Sequence, residues 1–174
     1  VPQEEWADLP ARYALCELCN LHDDSLEFEP IHRVVFGVEP EDVLTKLARY
    51  YPDAFCTDDP VNVTGHVLKS VRQGMEEAVV VPNPTAQLPV GTLQKFLDDY
   101  LSNHPQARID YIHGDDVAVE LANQPDAIAF LLPAMGKEEL FPTVIHDGVL
   151  PRKTFSMGQA HDKRFYLEAR TIRA

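Results

Sequence analysis

Segments with strand character alternate with segments of helical spacing along most of this 174-residue chain. Ile31 to Gly37 is rich in β-branched and aromatic residues and reads as a strand. It gives way at once to Glu39-Pro-Glu-Asp42. There Pro40 suits a first helical turn, and the acids favour the positive end of the helix dipole. Val43, Leu44, Leu47, Ala48 and Tyr51 continue at helical spacing until Pro52 stops them. An alternation of this kind buries its apolar faces by packing helices on a sheet.

The pattern recurs downstream. Strands are expected at His66 to Arg72 and Ala78 to Val81, joined across Gln73-Gly74 and closed by Pro82-Asn-Pro84. A longer helix is expected from about Leu88 to Asn103, with Leu93, Phe96, Leu97, Tyr100 and Leu101 on one face. Then comes a β–α–β unit: strand Arg108 to Ile112, helix Asp116 to Ala122, strand Ala127 to Leu132. If its strands are parallel neighbours, the crossover is right-handed. A short helix, Lys137 to Ile145, leads to a loop, and the alternation Phe165 to Ile172 reads as a closing strand. Earlier, Val1 to Pro10 reads as a frayed lead-in, Arg12 to Leu21 as a β-type run, and residues 53 to 64 as an exposed Asp-rich loop. The expected class is α+β with α/β character: one domain over residues 1–174, a mixed sheet with helices packed on it, containing one βαβ unit. The chain begins at Val1 rather than Met and is expected to be the C-terminal fragment of a longer protein.

Charge narrows the function. The formal net charge is −13, which repels nucleic-acid backbones and anionic lipid, so neither nucleic acid nor a membrane is expected as a partner. No apolar run approaches the roughly 20 residues that span a bilayer. Three cysteines make a poor disulfide framework, and a reducing cytoplasm is the natural home. Cys16-x-x-Cys19, with His22 nearby, invites a metal or redox reading. Residues three apart in a strand diverge, however, so buried core thiols are expected and no metal site is assigned.

The marked motifs of nucleotide-binding loops, dinucleotide-binding turns, zinc proteases and serine hydrolases are absent. Three constellations remain. Arg33 lies inside the strand Ile31 to Gly37 beside His32, and its planar fork suits an anion. His113-Gly114-Asp115-Asp116 follows directly on a strand end, a favoured ligand position in open sheets. There His113 suits proton transfer near neutral pH. The aspartates suit a divalent cation, or else serve as an ordinary helix start. The third is Pro151-Arg-Lys-Thr-Phe-Ser-Met-Gly158. It gathers two cations, Arg152 and Lys153, and two hydroxyls, Thr154 and Ser156, into a candidate anion-binding loop. Phe155 and Met157 are the residues that would plug it into the core, and Lys163 and Arg164 extend the positive stretch.

Phe28-Glu-Pro-Ile-His-Arg-Val-Val-Phe-Gly37, Ile109-Asp-Tyr-Ile-His-Gly114 and Asp147-Gly-Val-Leu-Pro-Arg-Lys-Thr-Phe-Ser-Met-Gly158 occur in this order. They are preceded by Ala11-Arg-Tyr-Ala-Leu15 and interrupted by Leu140-Phe141. In this the chain resembles the C-terminal half of the bacterial and archaeal family called domain of unknown function 1015. Many relatives retain Pro-x-Lys-Ser/Thr, which falls here on Pro151, Lys153 and Thr154. The resemblance implies a longer protein whose N-terminal half carries an Asp-Gly-x-His motif similar to that of ParB-like nucleotide-binding domains, some of which are free-serine kinases. This chain lacks that motif.

The resemblance thus implies a nucleotide with a divalent cation in the longer protein, and no cofactor in this chain. The expected function is an accessory ligand- or phosphate-binding part of a small-molecule enzyme, with phosphoryl transfer of the serine-kinase kind as its chemistry. The residues are Arg33, Arg152, Lys153, Thr154 and Ser156 for the anion, and His113 and Asp115 for catalysis. The expected partners are a small anionic ligand and the protein's own N-terminal domain. The alternative is a non-catalytic module that docks on that domain or on another protein.

Overall fold

The computed structural model describes residues 2–9, 12, 13, 16 and 18–158. The strand expected over Phe165 to Ile172, together with Lys163 and Arg164, lies outside the described residues. Among the described residues, seven strands form one sheet: β1 (Phe28–Phe36), β2 (Phe55–Thr57), β3 (His66–Arg72), β4 (Met75–Val81), β5 (Arg108–His113), β6 (Ala127–Leu131) and β7 (Phe155–Met157). Four α-helices accompany them: α1 (Pro40–Tyr50), α2 (Pro89–Asn103), α3 (Asp115–Leu121) and α4 (Leu140–Asp147). The α+β class holds.

The strand order is β2-β4-β3-β6-β1-β5, with β7 paired to the start of β1. Every pairing is antiparallel. Because β5 and β6 both run against β1, they point the same way, yet β1 lies between them. The β5–α3–β6 unit is therefore a split βαβ, and the condition that its strands be neighbours is not met. The β3–β4 hairpin turns through Gln73 (φ 45°) and Gly74 (φ 76°). Two left-handed residues match the twist of the flanking strands.

Strand alternation divides β1 between two cores. Val35 faces α1 and α2, packing with Leu44, Leu47, Leu93, Phe96, Leu97, Ile128 and Phe130. Val34 and Phe36 face α3, where Ala118, Ala122, Ala127 and Ala129 make a thinner layer. α1 buries Pro40, Val43, Leu44 and Leu47, the stripe its spacing predicts, and both α1 and α2 carry a proline in the first turn.

Four expectations are corrected. The described residues of the Arg12 to Leu21 run form no strand. A strand needs a partner edge as well as propensity, and β1 is already flanked by β5, β6 and β7. Cys16 and Cys19 are exposed rather than core thiols; Cys56, within the loop expected to be exposed, is exposed as well. The loop of residues 53 to 64 contributes a short strand, β2, to the edge of β4. The helix expected over Lys137 to Ile145 is a 3-10 turn, Lys137–Glu139, followed by α4. No helix among the described residues is long and apolar enough to cross a membrane.

Candidate functional site

Arg33 is the centre of the arrangement. It shares the α2 face of β1 and is fully buried, at 0% exposure. A buried guanidinium is costly unless its donors are satisfied. Here Nε donates to Gln94 Oε1 at 3.3 Å. One terminal nitrogen donates to the carbonyls of Ile31 and Lys153, and the other to the carbonyl of Arg152 at 2.8 Å. The Tyr111 ring lies 5.1 Å from the guanidinium carbon. Burial brings the Arg33 pKa down to about 10, so the group stays charged at neutral pH.

These bonds hold the basic loop by its backbone. Lys153 sits in the left-handed region at φ 54°, and Thr154 Oγ1 donates back to the Pro151 carbonyl at 2.6 Å. Phe155 stacks on Phe28, with ring centroids 4.1 Å apart, and so plugs the loop into the core. Met157 does not, being exposed. Ser156 lies within β7 opposite Glu29. With the main chain fixed, the Arg152 and Lys153 side chains stand on the surface.

Arg152 continues the network. Its NH2 group lies 2.8 Å from Asp98 Oδ1, and Gln94 Nε2 donates to the same oxygen at 2.8 Å. The hydrogen bond from Arg152 to Asp98 raises the Arg152 pKa. Arg33, Gln94, Asp98 and Arg152 thus close a ring that joins β1, α2 and the loop. Gln94 and Asp98 are one helical turn apart, which places both side chains on the same face of α2.

A cavity of about 490 Å³ opens beside this ring, lined by residues of α2, by Thr85 and Ala86, by the end of α4, and by Val149, Pro151 and Arg152. Its size is that of a small-molecule site. Gly91 lets the wall close up: a Cβ there would come 2.8 Å from the Ala86 Cβ. Lys95, Asp98, His146 and Asp147 also reach the lining.

The residues at the end of β5 sit differently. His113 pairs with Ile31 in register, and strand alternation puts it on the same face as Tyr111 and Arg33. Asp115 opens α3, which packs on the other face, and its Oδ1 lies 2.7 Å from His32 Nε2. His32 is buried, and its Nδ1 accepts the Leu132 N–H at 3.1 Å. The neutral ring therefore carries its proton on Nε2. Burial lowers the His32 pKa, while Asp115 pulls the other way. The structure thus pairs Asp115 with His32 rather than with His113. Among the described residues, no three or more His, Cys, Asp or Glu side chains are grouped to hold a metal ion.

Three participants escaped the sequence reading. Gln94 and Asp98 looked like ordinary polar positions of a helix, although Gln94 falls beside Leu93 and Leu97 on the buried stripe. Tyr111 lies directly opposite Arg33 in register, and among the described residues its buried hydroxyl has no hydrogen-bond partner. Only the pairing of β1 with β5 brings it there.

The chain belongs to the family described as protein of unknown function (DUF1015), whose model matches residues 2–167. Among solved structures, it is similar to a point mutant of a free serine kinase in complex with AMP. The TM-score is 0.58 and the identity 15%, covering 82% of this chain and 58% of that one. It is also similar to a conserved hypothetical protein from Pyrococcus furiosus, with a TM-score of 0.58 and 12% identity, covering 83% of this chain and 61% of that one. A second mutant of a free serine kinase with AMP gives a TM-score of 0.57 and 16% identity over 80% of this chain and 57% of its own. At these identities the likeness is one of fold. The chain spans about three fifths of the length of these structures. No curated protein sequence matches it.

Proposed function

We propose that this member of the DUF1015 family is an anion-binding accessory domain of a small-molecule enzyme that transfers phosphoryl groups. The observation that carries this is the anchoring of the loop. Arg33 spends its donors on the carbonyls of Arg152 and Lys153, so the main chain is held while both cationic side chains stand on the surface, Arg152 at the lining of a cavity. Preorganised cations of this kind stabilise phosphoryl oxygens without reorganising at the moment of reaction. Arg152 and Lys153 are assigned to the anion, Arg33 to positioning, and Thr154 and Ser156 to the frame of the loop.

A likeness of fold to a free serine kinase in complex with AMP supports the reaction class. The nucleotide and its divalent cation are assigned to the longer protein, since this chain covers only 58% of the free serine kinase that holds AMP. His113 and Asp115 are assigned to proton handling at the end of β5. The test is the full-length protein carrying Arg152→Ala or Lys153→Ala, read by nucleotide and phosphate binding and by turnover. A loss of about tenfold or more per substitution is expected. Unchanged binding and turnover in both variants would sink the proposal.

One observation favours the alternative of a docking module. α4 and the segment after it expose Phe141 (63%), Ile145 (78%) and Val149 (94%) beside the same loop. Exposed apolar clusters of this kind mark polypeptide contacts, and the protein's own N-terminal domain is the partner this reading assigns. Phe141→Ser with Ile145→Ser would then separate the two halves after proteolytic nicking, while leaving phosphate binding untouched.

A further inference from the structure

α2 ends at Asn103, and a helix end leaves its last carbonyls without helical partners. His104, the next residue, takes up one of them: its Nδ1 lies 2.7 Å from the Tyr100 carbonyl oxygen. A carbonyl can only accept, so Nδ1 carries the proton of the neutral ring and Nε2 presents a lone pair. The ring is stacked on that of Tyr100, with centroids 3.9 Å apart, which fixes its direction. The lone pair meets the Lys46 ammonium on α1, with Nε2 and Nζ 2.8 Å apart. Nucleophile, base and a group that orients the base thus stand in a row, as in activated nucleophiles generally.

Asp42, one turn earlier on α1, accepts a second Lys46 proton through Oδ2 at 2.7 Å. That hydrogen bond lowers the Asp42 pKa, so the carboxylate is the weaker competitor for the proton. Other lysines lack such a base. Lys69 pairs with the Glu76 carboxylate, Lys95 bonds to Thr85, and Lys137 donates to a carbonyl. Access does not separate Lys46 from Lys69, whose side chains are 41% and 46% exposed.

We infer that Lys46 is a site of acyl modification by acyl phosphates or acyl thioesters, with His104 as its general base. His104 Nε2 takes one proton from the ammonium and later releases it to water. The freed amine attacks the donor's carbonyl carbon and a C–N bond forms. The bond from that carbon to phosphate oxygen or thiolate sulfur breaks, and the leaving group departs with the electron pair and the second nitrogen proton. The product is a neutral amide, which ends the ion pair with Asp42. No residue of the basic loop or of its cavity takes part, so the inference is independent of the anion-binding reading.

Acetyl phosphate and a small acetyl thioester, applied separately to the full-length protein and followed by peptide mass spectrometry, test this. Lys46 is expected to be acetylated about tenfold or more faster than Lys69, Lys95 and Lys137 with at least one donor. His104→Gln keeps an acceptor for the ammonium but cannot take its proton. It is expected to bring Lys46 down to the rate of those three, whose own unchanged rates report an intact fold. If Lys46 reacts no faster than they do with either donor, the inference is overturned without any variant. A His104→Gln protein in which Lys46 keeps its lead would overturn it as well.

Discussion

The Arg33 guanidinium donates to the Arg152 carbonyl at 2.8 Å and to the Lys153 carbonyl at 2.9 Å, across more than a hundred residues of sequence. The Arg33 side chain is turned inward, where it fixes the backbone of the two cations that face outward. Replacing it separates positioning from binding. Arg33→Met leaves Gln94 and two loop carbonyls without their donor, at a cost of roughly 3 kcal/mol or more. Urea denaturation should show that loss, and limited proteolysis should then cut near Lys153, where the parent protein resists.

Lys153 allows charge to be separated from conformation. Its φ of 54° disfavours any side chain with a Cβ. Lys153→Gly is therefore expected to keep or raise stability, by up to about 1 kcal/mol. Phosphate binding should still fall by about tenfold through the lost charge. Denaturation midpoints and calorimetry on one preparation check both signs together.

Gly91 tests the cavity wall. In most helix interiors, Gly→Ala gains about 1 kcal/mol. At this position the new Cβ would sit 2.8 Å from that of Ala86, so the wall must move. Gly91→Ala is expected to lose stability by roughly 1 kcal/mol and to weaken ligand binding in the cavity. A gain in melting temperature with binding unchanged would contradict the tight wall.

Buried imidazoles predict a dependence on pH. Burial lowers the pKa of both His32 and His66. The unfolded chain therefore takes up protons first as pH falls through about 6.5. Stability conferred by the neutral rings is complete above that value and is lost as pH drops toward the depressed folded values. Unfolding free energies at about pH 7.5 and about pH 5.5 should differ in this sense, and His32→Asn should flatten part of the slope.

The net charge of −13 predicts that no complex with duplex DNA is retained in a gel-shift experiment at low salt, where electrostatic attraction is strongest.

Much of the architecture could be read locally. The Gln73-Gly74 turn, the proline starts of α1 and α2, and the stripe Val43, Leu44, Leu47 depend on neighbours in sequence, and all appear as expected. What depends on distant pairing did not. β5 and β6 read as the two strands of one βαβ unit, and nothing between them in sequence reveals that β1, much earlier, inserts between them. Cys16 and Cys19 read as buried because their strand pattern was taken without a partner edge.

The candidate site divides the same way. Pro151 to Gly158 was legible from composition, and strand alternation sends His32 and Arg33 to opposite faces of β1. What each faces required the register: Tyr111 opposite Arg33 on one side, and α3 with Asp115 on the other. Gln94 and Asp98 gave no signal, since a polar residue one turn from another is common on any helix.

The place of β1 also bears on how the chain is made. Its nine residues pair with strands that begin at Arg108, Ala127 and Phe155, so nearly every partner emerges later from the ribosome. The β3–β4 hairpin and α1 can form during synthesis, but β1 waits for the last third of the chain. Closure of the sheet should therefore be the slow, late event in folding, with the basic loop docking onto Arg33 at its end.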